Sequence, residues 1–343
     1  MKQIPTEQAV GHILVHDMTQ IIPEGPDRYK GPRFRKGHVV AQEDVPVLLS
    51  MGKRSLYVWE MEPGMLHENE AAERLAALCA GPGVSRDGDP SEGKIGLSAA
   101  QDGVLLVDSA RLRAVNSVPE VMVATRRGNF AVAAGDAVAG TRVIPLAVDA
   151  SVLEAAEAAA AGDPLLEVRP FSVKTAAVIA TGSEVASGLI QDRFTPVVRS
   201  KLAAFGIETV SVATPGDDIE DVCAAILDAK EAGADLVVCT GGMSVDPDDN
   251  TPGAIRRSGA QVVTYGAPVL PGAMMCLAYF DDGTPVVGLP GCVMYADATI
   301  FDLMLPRLAA RVPLTRQDFI ELGEGGLCLR CTPCTYPHCP FGR

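Results

Sequence analysis

The chain has 343 residues, 48% of them hydrophobic and 21% charged, and a formal net charge of −14. This length exceeds a single core and predicts two or three domains. The apolar share excludes a disordered chain, and the negative charge disfavours non-specific attraction to nucleic acid or an anionic membrane. No apolar run reaches the roughly 20 residues of a membrane span, and the start, "MKQIPTEQAVGHILVHD", lacks an apolar core of signal-peptide length. A cytoplasmic protein with neither nucleic-acid nor membrane partners is therefore expected.

Residues 1–60 carry short apolar runs ("GHILVHDM", "GHVVA", "SLYVWE") cut by Gly and Pro, with one short helix around "AQEDVPVLLSMG". They read as a β-rich accessory unit. Between those runs, "RYKGPRFRKGH" holds Arg28, Lys30, Arg33, Arg35 and Lys36 with no acid. It is either a solvated hairpin tip or a basic arm reaching an anionic ligand or a neighbouring subunit.

Residues 61–172 form a second accessory unit of α+β type. "HENEAAERLAALCA" has helical spacing with Leu75, Leu78 and Cys79 on one face, and Gly81-Pro82-Gly83 ends it. A polar stretch follows, then runs such as "GVLLVDS", "EVMVATRRG" and "TRVIPLAV" that read as strands. The Ala-rich "SVLEAAEAAAAGDP" reads as a helix closed by Gly162 and Pro164.

From residue 173 to 315 buried-strand runs alternate with helical ones, beginning with "KTAAVIATG" and ending in a helix through "MYADATIFDLMLPRLAA". The expected fold class is α/β, a doubly wound three-layer α/β/α sandwich with a mostly parallel sheet. Residues 316–343 are a separate cysteine-rich tail.

Three of these strands end in glycine turns, "IATGSE", "CTGGMS" and "GLPGCV". In such sheets the carboxyl ends of the strands share one rim, where glycine lets backbone N–H groups approach an anion, so a phosphate-bearing ligand is expected there. The loop "TGGMSVDPDDNTPGA" also throws Asp246, Asp248 and Asp249 towards that rim, and "TPGDD" adds Asp217. A carboxylate in contact with a phosphate repels it by about 4 kcal/mol at intermediate dielectric, so a cation belongs between them, and Mg²⁺ fits. Helix capping, by Asp217 or Asp218 near Ile219 and by Asp249 at Thr251, accounts for the same spacing.

Of nine cysteines, Cys79, Cys223, Cys239 and Cys276 have apolar neighbours and read as small buried hydrophobes. The tail "CLRCTPCTYPHCPFGR" places Cys328, Cys331, Cys334 and Cys339 within twelve residues, with His338 beside the last. This is the pattern of a metal site, either Zn²⁺ or an iron–sulfur cluster. The alternative is a reduced flexible tail.

"TGSE", Asp192 in "GLIQD", the turn at Asp217, "TGGMS" and "LPG" together resemble the molybdopterin-binding domain over residues 173 to about 312. Molybdopterin molybdenumtransferases (gephyrin E domain-like), molybdopterin adenylyltransferases and a competence-damage-associated relative share that domain. The upstream "AVGHILVHDM", "KGPRFRKGHVV" and "MGKRSLYVWE" are similar to pieces of the molybdenumtransferase accessory domains.

The resemblance implies a homodimer that binds molybdopterin or its adenylylated form together with molybdate, Mg²⁺ assisting hydrolysis of the adenylate as molybdenum is inserted. It implies a cofactor cradle of Thr181, Gly182, Ser183, Glu184, Gly241, Gly242, Ser244, Thr251, Pro290 and Gly291, with Asp217 and Asp249 in metal or adenylate duty. The chain departs from the molybdenumtransferase pattern at "VLPGAMM", where Leu270 and Ala273 replace the two lysines of a K-P-G-K loop. It departs again at Arg193-Phe194 and at Cys292. Losing two cations from an oxyanion site weakens transition-state stabilisation by several kcal/mol; Arg33, Arg35 or Arg126-Arg127 are the candidates to replace them. Two further roles are thus expected beside a molybdenumtransferase-like enzyme. One is a non-catalytic carrier that docks a molybdoenzyme. The other is a nucleotide-cleaving enzyme, since "DNTPGA" is similar to the D-x-T-P-x-A stretch of the adenylyltransferase branch.

Overall fold

The computed structural model describes residues 2–22, 28–58, 63–244 and 249–343. Two compact units emerge, one of residues 1–101, 107–126 and 134–168, the other of residues 102–106, 127–133 and 169–343. Trp59, Glu60, Asp246 and Asp248 lie outside the described residues.

In the first unit, Lys2–Pro5 pairs with Ser55–Val58 and Met18–Ile22 with Tyr29–Phe34, around a core that includes Leu14, Phe34, Leu48 and Leu56. Arg28, Lys30, Arg33, Arg35 and Lys36 are all exposed on or beside the second of these pairs. The helix Glu68–Cys79 is closed at its start by a capping box. The His67 ring accepts from Asn69 N–H at 3.1 Å, and Glu70 accepts from His67 N–H at 3.2 Å. It buries Ala71, Ala72, Leu75, Ala76 and Cys79, leaving Leu78 only half-buried. The helix packs on an antiparallel sheet in the order Val84–Ser91, Lys94–Ala99, Ala137–Val143, Val121–Thr125.

The second unit is built on a six-stranded sheet. Its strands are β1 (Thr175–Ala180), β2 (Glu208–Ala213), β3 (Leu236–Thr240), β4 (Gln261–Tyr265), β5 (Cys276–Tyr279) and β6 (Pro285–Leu289), in the spatial order β2-β1-β3-β6-β5-β4. The ladders β1–β2, β1–β3 and β3–β6 are parallel, whereas β5 runs antiparallel to both neighbours. The sheet is thus mixed. A five-residue turn separates β5 from β6, closed by Phe280 N–H donating to Thr284 O at 3.0 Å, and such a turn is too short for the crossover a parallel pair needs.

Alternate strand residues feed two separate cores, as the two-residue repeat of a strand requires. Val178, Val238 and Val287 face α1 (Phe194–Ala203) and α4 (Ile300–Ala309) through Val198, Leu202, Phe301 and Leu305. Ala177, Ile179, Val237 and Val286 face α2 (Ile219–Glu231) and α3 (Thr251–Arg257) through Val222, Ile226, Ala254 and Ile255. Both faces of the sheet are therefore covered by helices. Cys79, Cys223, Cys239 and Cys276 are buried, as their neighbours suggest. The last helix starts later than the sequence implies. Gly291–Met294 forms a short 3-10 turn, and α4 begins at Ile300 behind Thr299, which accepts from Phe301 N–H while Asp302 accepts from Thr299 N–H at 2.7 Å.

The C-terminal segment is folded against this unit, so the flexible-tail alternative does not hold. Leu270 N–H donates to Gly326 O and Cys328 N–H to Leu270 O, both at 2.8 Å. Tyr336 donates to Asp302 O at 2.8 Å, Phe341 is 1% exposed, and the Arg343 guanidinium lies 4.5 Å over the Phe130 ring.

Candidate ligand cleft

Because β1, β2, β3 and β6 all run in the same direction, their carboxyl ends lie along one edge. The turn after β3 is the tightest part of that edge. Gly241 and Gly242 have φ of +85° and +57°. A Cβ on Gly241 would meet Thr181 O at 2.5 Å, and one on Gly242 would meet Thr251 Oγ1 at 2.7 Å. Only glycine fits either place.

Two buried threonines hold this turn. Thr181 N–H donates to Thr240 O at 2.8 Å, while Thr251 Oγ1 donates to Gly241 O at 2.8 Å and lies 3.2 Å from Thr181 Oγ1. From the far side the Tyr265 hydroxyl donates to Met243 O and Ser244 O at 3.1 and 3.2 Å. Burial above all, with Cys276 and Asp249 adding to it, raises the Tyr265 pKa and keeps this donor protonated. Gly288 makes room for the same turn, since a Cβ there would meet Met243 Sδ at 2.5 Å.

A cavity of about 430 Å³ opens at this edge. Of the sequence-predicted cradle, Gly241, Gly242, Ser244, Pro290 and Gly291 line it, and so does Asp249. Thr181 and Thr251 lie buried as the braces of the turn. Gly182, Ser183, Glu184 and Asp217 gather at the neighbouring β1–β2 end, where Ser183 N–H donates to the Asp217 carboxylate at 2.7 Å. Asn250 Nδ2 donates to Asp217 O at 3.0 Å and so links that group to the loop of Asp249.

The capping alternative resolves differently for the two acids. Asp218, not Asp217, caps α2, accepting from Glu220 N–H at 2.8 Å. The N-cap of α3 is Asn250, which makes no side-chain cap bond. Asp217 instead accepts from the N–H of Ser183, the first residue of the short helix Ser183–Ala186.

Sequence reasoning passed over Met274 and Tyr295, which also line the cavity; Tyr295 is 75% exposed. Cys292 is on the same wall, half-buried, and burial raises its thiol pKa more than its own backbone bond lowers it, so it stays a neutral thiol at neutral pH. Where the two lysines are expected from the resemblance, Ala273 faces the cavity and Leu270 pairs with the C-terminal segment. Among the described residues, no three His, Cys, Asp or Glu converge on one point as a ready-made set of metal ligands.

Residues 177–310 match the family profile described as "Probable molybdopterin binding domain". This segment belongs to the molybdopterin-binding domain family. Residues 3–60 match a domain of unknown function. A CinA-like protein of Mycobacterium tuberculosis is 34% identical over 82 residues, 24% of this chain and 19% of that protein. A molybdopterin molybdenumtransferase of Staphylococcus aureus is 31% identical over 132 residues, 36% of this chain and 31% of that enzyme. The chain thus spans a fifth to a third of these curated relatives. Among solved structures, CinA from Thermoplasma acidophilum superposes with a TM-score of 0.33 at 19% identity, covering 40% of this chain and 98% of that one. MoaB from Thermus thermophilus superposes with a TM-score of 0.33 at 18% identity, covering 41% and 98%. The cleft described above lies within the molybdopterin-binding domain.

Proposed function

We propose that the molybdopterin-binding domain holds molybdopterin, or its adenylylated form, in the cleft beyond β3 and β6, as a step in molybdenum cofactor assembly. The observation that carries this reading is the Gly241-Gly242 turn, which presents bare backbone to a cavity of about 430 Å³ within a segment of that family. Backbone of this kind accommodates a phosphate without a side-chain cation. The match to the Staphylococcus aureus molybdenumtransferase supports the same place in metabolism.

The wall of the cavity carries Asp249 and, among the described residues, no Lys or Arg. A phosphate placed there meets a carboxylate, and Mg²⁺ held by Asp249, with Asp217 nearby, removes the conflict. Without lysines to stabilise developing charge, the geometry suits holding and delivering the cofactor to a molybdoenzyme better than hydrolytic insertion of molybdate. In the same reading the four tail thiols are a metal site, of zinc or of iron and sulfur.

The test is a fluorescence titration of the full chain with molybdopterin, with and without Mg²⁺. Saturable binding that tightens with Mg²⁺, and loses that dependence in Asp249→Asn, is expected; no binding rejects the reading. Supplying adenylylated molybdopterin, molybdate and Mg²⁺ separates the two roles: no AMP is released by a carrier, whereas catalytic release of AMP selects insertion.

A further inference from the structure

The ligand cleft has a neighbour. A second cavity, of about 330 Å³, shares Cys292 and Tyr295 with it, and its opposite wall is Cys328, Arg330, Cys331 and Cys334. A smaller hollow beneath is lined by Cys328, Cys331, Cys334 and Cys339 together, with Tyr336 and Phe341 as apolar backing. All four tail thiols thus face one space, on a segment whose backbone is tied to Leu270 and whose aromatic side chains are packed into the core.

Three details give this space the chemistry of an iron–sulfur site. Arg330 takes φ of +54°, which turns its N–H to donate to Cys328 Sγ at 3.5 Å, and amide donors to sulfur stabilise thiolate bound to a cluster. The segment from Cys328 to Arg343 has two arginines and no acidic side chain, and Arg330 lines the larger cavity, opposite in charge to Asp297, the one acid among its lining residues. Its C-x2-C-x2-C spacing follows the first three ligands of the bacterial ferredoxin run; the fourth Cys of that run serves a second cluster, whereas Cys339 lines the same hollow as the other three. A single zinc ion would need the sulfurs roughly 3.8 Å apart, as Zn–S bonds of about 2.3 Å in a tetrahedron require. Here all four cysteines line one hollow, and among the described residues no three are placed to hold a single ion.

We propose that Cys328, Cys331, Cys334 and Cys339 ligate an iron–sulfur cluster that lies beside the ligand cleft, against the wall formed by Cys292 and Tyr295. The cluster stands on the tail geometry alone; its coupling to a bound pterin rests on the reading of the cleft given above.

The test starts with anaerobic reconstitution of the full chain with ferrous iron and sulfide, followed by metal and sulfide analysis and visible and paramagnetic resonance spectra. Brown protein with stoichiometric iron and sulfide is expected, and a colourless protein holding zinc overturns the assignment. Cys331 and Cys334 are exposed, so the variant Cys331→Ser/Cys334→Ser should lose the colour while keeping the circular dichroism and melting temperature of the cluster-free parent; a variant that keeps the colour overturns it equally. Molybdopterin added to the reconstituted protein should perturb the cluster spectrum, and binding should weaken by roughly three- to tenfold in the double variant, the scale of one lost contact. Pterin binding with an unaltered cluster spectrum rejects the adjacency, whereas no pterin binding to either protein rejects the cleft reading and leaves the iron result to decide the cluster.

Discussion

Gly241 shows how little space the cleft turn leaves. Alanine there must take φ near +85° and place its Cβ 2.5 Å from the backbone oxygen of Thr181, a residue whose N–H is bonded to Thr240 O at the end of β3. Gly241→Ala should cost about 1–3 kcal/mol, read as a lowered urea midpoint; an unchanged midpoint would show that the turn is not held as described. Tyr295 is the opposite case, a large ring 75% exposed at the mouth of the cavity. Tyr295→Ala should leave stability within about 0.5 kcal/mol but weaken pterin binding several-fold, as loss of about 0.5–1.5 kcal/mol of aromatic stacking implies. Equal affinities would remove Tyr295 from the site. The glycine turns were legible in the sequence because a positive φ leaves a residue-type mark. Tyr265 and Tyr295 were not, because a single aromatic that reaches the site from outside the turns it serves leaves no pattern.

At the scale of elements, buried alternation was readable and exposed pairing was not. The runs that became β1, β3 and β6 are almost wholly buried, so their apolar content declares them. The hairpin Val84–Ser91 with Lys94–Ala99 has an exposed first strand and turns at Glu92-Gly93 with both residues at positive φ, so it read as a polar stretch. The helix Ser109–Asn116 was missed for a similar reason, with only Val115 fully buried. In the last turn of α4, Arg307 pairs with Asp318 and also donates to Pro313 O at 2.5 Å. Burial raises the Asp318 pKa, but the bonds from Arg307 and Thr315 outweigh it and leave it below the ordinary 3.8. A carboxyl depressed in the folded state contributes stability above its unfolded pKa and loses it as pH falls through the folded one. Asp318→Asn should therefore cost about 1–3 kcal/mol near neutral pH and flatten the loss of stability as pH falls below the ordinary 3.8. A variant with the same acid limb as the parent would show that the pair does not report on folding.

Taken whole, the chain sets a long-range field against the ligand its cleft suits. Its net charge of −14 repels an anionic pterin at a distance, and no lysine in the described wall compensates nearby. Salt screens exposed charges over roughly 10 Å at 0.1 M, so raising it should speed association or leave affinity unchanged. A marked weakening with salt would instead reveal cations at the site. The α/β class of residues 173–315 was legible because each strand and helix declared itself in turn. The extent of the units was not, since residues 102–106 and 127–133 leave the first stretch of chain to join the second unit, and local pattern carries no record of such exchanges. The most direct test of the central claim is amide hydrogen exchange on the full chain with and without molybdopterin. The account predicts new protection confined to residues 241–244 and 291–292 at the ends of β3 and β6; protection elsewhere, with these segments unchanged, would contradict it.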